Sequence, residues 1–373
     1  MHHVNVRIKS TGSAYAVRIG SNLLAQAGAE AKAVAKSRKA TLVTDANVAA
    51  HYLEPAMESL RAAGLAAAPI VVPPGEASKT LAQAGRLYDA MLKAGLDRTS
   101  AVVGLGGGVV TDLAGFAAAT YMRGVPWVAV ATSLLAQVDA GVGGKTGVDH
   151  PECKNLIGAF HQPAAVLADV STLATLPDEE LRTGLAEVVK HAMIRDADLL
   201  ALIENQADRI LARDPAVLEE IVARNVRIKA DVVMADEREA DLRRILNYGH
   251  TVGHALESLA LETGGRPGGA GAPAMTHGRA VALGMMAEVR IAERRGLVGR
   301  AVSERQRAAL ERFGLPVRAG GPIDLDRCLA IMRHDKKAEA GRLRFVLPEA
   351  IGSVRIADDV TDDEIRQALR SLA

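Results

Sequence analysis

The sequence predicts a two-domain α/β protein, with an N-terminal parallel sheet covered by helices and then a mostly α-helical region. Three observations carry this. Short β-branched runs alternate with Ala-rich helical stretches through the first half of the chain, the pattern of a parallel sheet buried on both faces. From about Leu173 the periodicity becomes helical, persists to about Leu259 and resumes after Gly278. The chain has 373 residues, too many for one ordinary core.

Taken in order, ATLVTD (40–45) reads as a strand ending at a turn, and PIVVPP (69–74) as a second strand stopped by its prolines. SAVVGLG (100–106) and WVAVATS (127–133) read as a third and a fourth, and Thr80 to Ala94 as a helix between strands. Pro177 with Asp178 and Glu179 marks a helix start. Residues 263–273, TGGRPGGAGAP, form a Gly/Pro-rich loop that is either an insertion or a lid; composition does not choose. The domain boundary is expected near Pro163.

Composition excludes several classes. The net charge of +1 gives no whole-chain field for nucleic acid, so any anion site must be a local cluster. Two cysteines, Cys153 and Cys328, make no disulfide framework and have no metal-ligand spacing. No apolar run reaches the roughly 18 residues of a membrane span, and MHHVNVRIKS lacks an apolar signal core. A cytoplasmic protein is expected.

In parallel sheets ligands bind beyond the carboxyl ends of the strands, so polar residues after each strand are the candidates. In GLGGGVVTDLAGF (104–116) a strand runs through glycines into a helix, a geometry that suits a pyrophosphate and equally a bare tight turn. Asp112 there could cap the helix or hold a sugar hydroxyl. Asp45 and Asn47 follow the first strand, and Glu76 and Lys79 the second; each pair also reads as a cap or turn. All three groups at strand ends of one sheet favour a dinucleotide. In the helical half, His250 and His254 stand at i and i+4, Glu187 and Lys190 share a face of another helix, and His277 follows the glycine-rich loop. One carboxylate and two imidazoles would make a metal site with an open position, but spacing does not say which residues converge. Arg123, Lys145, Lys154, Lys190, Lys229, Arg243 and Lys336 are the candidate cations. GGKTG is no Walker loop, because Asp139 stands where the leading glycine belongs.

With these residues in place, the chain resembles the 3-dehydroquinate synthase family from TDANV (44–48) to LPEAIG (347–352). The most specific blocks are LLAQVDAGVGGKTGVDHPECKNLIGAFHQP (134–163), GLAEVVKHAMIRD (184–196) and KADVVMADERE…RRILNYGHTVGHALE (229–257). The resemblance implies a Rossmann-like NAD-binding α/β domain (1–163), a mostly α-helical metal- and substrate-binding domain (164–373), and a homodimer. It implies NAD and one divalent metal, Zn²⁺ or Co²⁺, held by Glu187, His250 and His277. NAD contacts fall on Asp45, Asn47, Glu76, Lys79, Gly107, Gly108, Asp112, Thr132, Ser133, Lys154, Thr172 and Thr175. Catalytic positions fall on Lys145, Lys190, Arg243, Asn247 and His254. Substrate contacts fall on Asp139, Asn155, Lys229 and Lys336, with Arg123 reaching in from the partner subunit.

The implied substrate is a small anion, 3-deoxy-D-arabino-heptulosonate 7-phosphate. It becomes 3-dehydroquinate and phosphate through transient oxidation, elimination, re-reduction and intramolecular aldol closure. Neither nucleic acid nor membrane is an expected partner. Arg243, Asn247 and His250 are expected on one helix, with Arg243 reading the carboxylate. Arg279 departs from the family's usual Glu after His-Gly, the preceding loop lacks the usual aromatic, and Asp149 and Ser133 replace commoner Asn and Thr. Rival readings are a sugar-phosphate cyclase making another carbocycle, an iron-type dehydrogenase, which lacks GGKTG…KNLIG, and a non-catalytic NAD-binding protein.

Overall fold

All four strand-like runs of the first half become strands, and five further strands accompany them. The computed structural model describes residues 1–151, 153–262, 274–335 and 343–373. The chain forms two compact units: 1–181 with 213–238, and 182–212 with 239–373. No described helix is long and apolar enough to cross a membrane.

In the first unit the strands are β1 (His2–Ile8), β2 (Ser13–Gly20), β3 (Lys39–Asp45), β4 (Ala66–Val72), β5 (Ala101–Gly106), β6 (Trp127–Ala131), β7 (Lys145–His150), β8 (Cys153–Phe160) and β9 (Ala165–Asp169). Seven form one sheet in the order β1-β2-β9-β6-β5-β3-β4, parallel except for the β1–β2 pair. β5, β6 and β9 are buried at every residue, as their runs of Val, Ala, Leu and Gly, joined by Trp127 in β6 and ending at Asp169 in β9, require of strands covered on both faces. β7 and β8 pair separately as a hairpin. Helices α1 (Ala27–Val34), α2 (Ala46–Ala62), α3 (Leu81–Lys93) and α4 (Gly108–Thr120) connect the parallel strands.

The topology locates the ligand end of this sheet. From β3 the chain crosses outward to β4, and from β5 it crosses the other way to β6, so neighbouring β3 and β5 form a switch point. Ligands bind at the carboxyl ends of strands beside such a point, here Asp45 and Gly107.

The observed division differs from a boundary near Pro163. β9 follows Pro163 but pairs with β2 and β6, closing the gap between them. After α5 (Asp178–Arg195), α6 (Ala197–Asn205) and α7 (Ala207–Leu211), helix α8 (Pro215–Ala235) returns to pack on β1. Both pieces belong to the first unit because of pairings far away in sequence.

The second unit contains α9 (His250–Glu262), α10 (His277–Arg294), α11 (Arg300–Arg312), α12 (Leu325–Asp335), the hairpin β10 (Phe345–Ala350)–β11 (Ser353–Ala357), which the periodicity did not announce, and α13 (Asp362–Arg370). α9 and α10 approach closely at glycines. A Cβ on Gly284 would lie 1.8 Å from the Gly249 carbonyl oxygen, and one on Gly253 2.9 Å from that of Ala280. One expectation fails: Arg243, Asn247 and His250 do not share a helix. Leu242–Asn247 is a 3-10 segment, Tyr248 lies in a turn with ψ 123°, Gly249 has φ +80°, and α9 begins at His250. Gly249 forces the break, because a left-handed residue ends the helical hydrogen-bond ladder.

Candidate active site: a nucleotide end and a metal cluster

In the first unit the sequence folds its polar residues onto the carboxyl edge of the sheet. Asp45 ends β3 and caps α2, its Oδ1 accepting from the N–H of Asn47 at 2.9 Å and of Val48 at 3.1 Å. Asn47 lies exposed in that helix's first turn. β5 delivers Gly107 as the N-cap of α4, where no side chain caps the helix. Its first N–H groups and its dipole are therefore available to a phosphate. A Cβ on Gly107 would lie 3.2 Å from Ser133 Oγ, and one on Gly108 3.4 Å from the Ala140 methyl, so both positions are narrow as well as bare. Thr132 and Ser133 follow β6 and are buried; Thr172 Oγ1 donates to the Asp169 carbonyl at 2.7 Å, and Thr175 pairs with the Tyr52 hydroxyl at 2.6 Å.

Asp112 of α4 converges with Glu76 and Lys79 of the segment after β4. Lys79 is buried, with Nζ 2.7 Å from Asp112 Oδ2 and 3.9 Å from Glu76 Oε1, and it also donates to Asn155 Oδ1. Burial alone would lower its pKa, but Asp112 and Glu76 outweigh this and hold it above the ordinary lysine value. Asn155, at φ +55°, is fixed by its N–H donating to Asp149 Oδ1 at 2.7 Å. The buried Lys229 of α8 pairs with the carboxylate and the carbonyl of Asp139. Lys145 and Lys154 are exposed, and Arg123 is exposed at φ +67° beside Met122 at φ +50°.

The second unit holds the cluster suited to a metal. Glu187, on the fully buried face of α5, places its carboxylate with His250 and His277 so that one ligand atom from each lies within 4.8 Å of the others. The Nε2 atoms of His250 and His277 are 3.6 and 3.4 Å from Glu187 Oε1. The remaining ring nitrogens are occupied. His250 Nδ1 lies 3.2 Å from the Tyr248 carbonyl, which can only accept, so Nδ1 carries the hydrogen and Nε2 the lone pair. His277 Nδ1 faces Glu257 Oε2 at 3.7 Å. Imidazoles so oriented, with a carboxylate or carbonyl behind them, are what divalent-metal sites use. The donor set of two nitrogens and a carboxylate fits zinc or cobalt and leaves a coordination position open.

Burial and the Lys190 charge hold the His250 pKa well below its ordinary value. Burial pushes His277 the same way, but Glu187 and Glu257 outweigh it and raise that group to about 9. Lys190, one helical turn from Glu187, forms a buried ion pair with it. His254 packs against His250 with ring centroids 5.2 Å apart. Arg243 is buried, and Asn247 donates from Nδ2 to Glu239 Oε1 at 2.6 Å.

Spacing had not singled out Glu239 or Glu257. Glu257 follows His254 by three residues and His250 by seven, so the stripe on α9 carried the signal. Lys336 and the 263–273 loop lie outside the described residues; Arg279 lies half-buried in the first turn of α10.

Comparison with known proteins decides the lineage. The family models for the N-terminal and C-terminal parts of 3-dehydroquinate synthase match residues 69–183 and 184–338. The chain belongs to the 3-dehydroquinate synthase family. It is 51% identical to the 3-dehydroquinate synthase of Symbiobacterium thermophilum, over 96% of this chain and 98% of that one. Among solved structures it is similar to the 2-epi-5-epi-valiolone synthase of Streptomyces hygroscopicus subsp. jinggangensis 5008, which has NAD⁺ and Zn²⁺ bound (TM-score 0.86, 32% identity, 96% of each chain). An NADH-dependent butanol dehydrogenase of Thermotoga maritima shares the fold at a TM-score of 0.70 and 16% identity, over 99% of this chain and 98% of that one.

Proposed function

We propose that this chain is an NAD- and metal-dependent carbon–oxygen lyase. It converts 3-deoxy-D-arabino-heptulosonate 7-phosphate into 3-dehydroquinate and phosphate. The observation that carries the reading is the convergence of Glu187, His250 and His277, with Lys190 ion-paired to the shared carboxylate, in a chain of this family.

Glu187, His250 and His277 would hold the ion, zinc or cobalt, in the second unit, and the strand ends of β3 to β6 would hold the dinucleotide in the first. A divalent ion there would act as a Lewis acid, polarising substrate oxygens and lowering the pKa of a bound hydroxyl. Held there, a dinucleotide would supply reversible hydride chemistry, so that the oxidation of the substrate is transient. The chain's own groups do the rest. Arg243 presents a buried guanidinium suited to a carboxylate, and Lys145, Lys229 and Lys336 add positive charge for a doubly anionic substrate. Asp139 and Asn155 orient it. Lys190 keeps a proton at Nζ beside Glu187, and the His254 imidazole accepts and returns protons through elimination and ring closure. Asn247, tied to Glu239, orients a substrate hydroxyl.

We further read the protein as a cytoplasmic homodimer in which Arg123 serves the partner's substrate. Its exposed, left-handed segment at 122–123 supports a role in reaching outward. Sedimentation of the wild-type protein tests the dimer. The test of the activity is phosphate release from the heptulosonate phosphate with NAD⁺ far below substrate concentration, with and without chelator. Release that needs both NAD⁺ and the metal supports the assignment; release that ignores the chelator overturns it.

A further inference from the structure

Glu288 is a carboxylate that the proposed chemistry does not use. It lies in α10, about three turns after His277, and is wholly buried. A carboxylate in such a place is costly unless its bonds are used. Its Oε2 accepts from the N–H of Gly249 at 2.9 Å. Gly249 forms the bend that precedes α9: its φ is +80°, and a Cβ there would lie 2.7 Å from the Val281 carbonyl oxygen and 2.6 Å from Met285 Cγ. On the other side of the bend the buried Tyr248 hydroxyl donates to Gln306 Oε1 at 2.5 Å. The backbone at this bend therefore has no freedom to turn.

The N–H of Gly249 and the carbonyl of Tyr248 belong to one peptide plane, so fixing one fixes the other. That carbonyl accepts from His250 Nδ1. The sequence of contacts is carboxylate, peptide N–H, peptide carbonyl, imidazole N–H. We propose that Glu288 is a positioning residue for His250, acting through the Tyr248–Gly249 peptide. As the acceptor bonded on the N–H side, Glu288 polarises the peptide and strengthens its carbonyl as an acceptor. The relay fixes the imidazole tautomer and makes Nε2 a stronger donor to a cation. Glu257 does directly for His277 what Glu288 does for His250 through one peptide group. Supports of this kind, once removed, typically cost 10–100-fold in metal affinity.

The inference rests on reading His250 as a metal ligand, and the experiment separates the two. Co²⁺ is titrated into metal-free protein without substrate, recording affinity and the visible absorption of the bound ion. Far-UV circular dichroism and the melting temperature of the metal-free protein are followed alongside. Glu288→Leu is expected to bind Co²⁺ about 10–100-fold more weakly, with an altered absorption band. Glu288→Gln keeps an acceptor for the Gly249 N–H but changes its strength, and is expected to recover most of that loss, to within about 3–10-fold of wild type. A Leu variant that folds and binds Co²⁺ with wild-type affinity and band overturns the proposal, whatever its melting temperature. If the Leu variant does not fold, the Gln variant decides: unchanged affinity and spectrum overturn the proposal, a weaker and shifted site supports it. His250→Ala is the control. If it still binds one Co²⁺ per chain as wild type does, the ligand assignment itself has failed.

Discussion

Arg243 is the residue on which substrate choice turns. It is 1% exposed, and a guanidinium buried to that degree must meet anionic or polar partners. Under the proposed function its fork meets the substrate carboxylate. Arg243→Lys keeps the charge but loses the bidentate geometry. It is expected to cost on the order of 1.5–3 kcal/mol of binding for an analogue bearing the carboxylate and little for one without it, with NAD and metal still bound. Competition assays with the two analogues read this directly, and equal weakening of both removes Arg243 from carboxylate recognition and revives the cyclases of neutral sugars. At the ligand positions the expectation is sharper. His250→Ala should leave neither bound metal nor turnover by elemental analysis and phosphate assay, and a variant that retains stoichiometric metal sinks the assignment. Spacing marked these residues because chemistry restricts which types can stand there. Lys79 shows its limit: the i,i+3 pair with Glu76 was legible, but its shorter contact, to Asp112 at 2.7 Å, comes from another strand end.

At the scale of elements, glycine decides how near the two ligand-bearing helices come. Gly284→Ala would drive a methyl onto the Gly249 carbonyl at 1.8 Å, so α9 and α10 must part. A loss of about 1–3 kcal/mol is expected, as for other overpacked interiors, with weaker metal binding because His250 and His277 start those helices. Gly85 is the contrast: it lies inside α3 with nothing within 4 Å of its would-be Cβ. Gly85→Ala should therefore stabilise by about 0.5–1 kcal/mol. Chemical denaturation of both variants checks the pair. Elsewhere Arg295, the C-cap of α10, donates from Nε to Glu364 Oε1 at 2.6 Å and from Nη1 to Asp359 Oδ1 at 2.8 Å, tying α10 to the start of α13.

The Arg295 contact, set against some burial, lowers the Glu364 pKa from 4.5 to about 2. A depressed carboxylate stabilises the fold above its unfolded pKa. That stability should therefore be intact above pH 4.5 and fade as pH falls toward 2. Arg295→Ala should lower the melting temperature at pH 6 and lose less on acidification than wild type. An equal fall in both proteins would show that the Arg295–Glu364 pair contributes nothing to the acid dependence. The sequence announced the parallel strands β3, β4, β5 and β6 and the helical character of the second half, because burial on both faces leaves an apolar run and burial on one leaves a 3.6-residue period. It did not announce β9's place in the sheet, α8's return to β1 or the break at Gly249. Each of these is fixed by partners distant in sequence or by a single backbone angle.

For the molecule as a whole, fold does not decide chemistry. The same fold occurs in an NADH-dependent butanol dehydrogenase. What would distinguish this chain is the fate of the hydride. If NAD is reduced and reoxidised within one turnover, the cofactor is regenerated on the protein and cycles without being consumed. One equivalent of NAD⁺ per chain should then support many turnovers, phosphate should accumulate linearly, and absorbance at the nicotinamide wavelength should not exceed one reduced cofactor per active site. A dehydrogenase given the same substrate must stop after consuming its NAD⁺ and must release NADH one for one with product. The sequence supplied the first hint, in the GGKTG…KNLIG block and the cations around it, groups suited to retaining a doubly anionic substrate through several steps. Phosphate and NADH followed together in one cuvette separate the two reactions. Growth of NADH in step with product would transfer the protein to the dehydrogenases despite its family, whereas phosphate release with a flat nicotinamide signal requires that the hydride be returned.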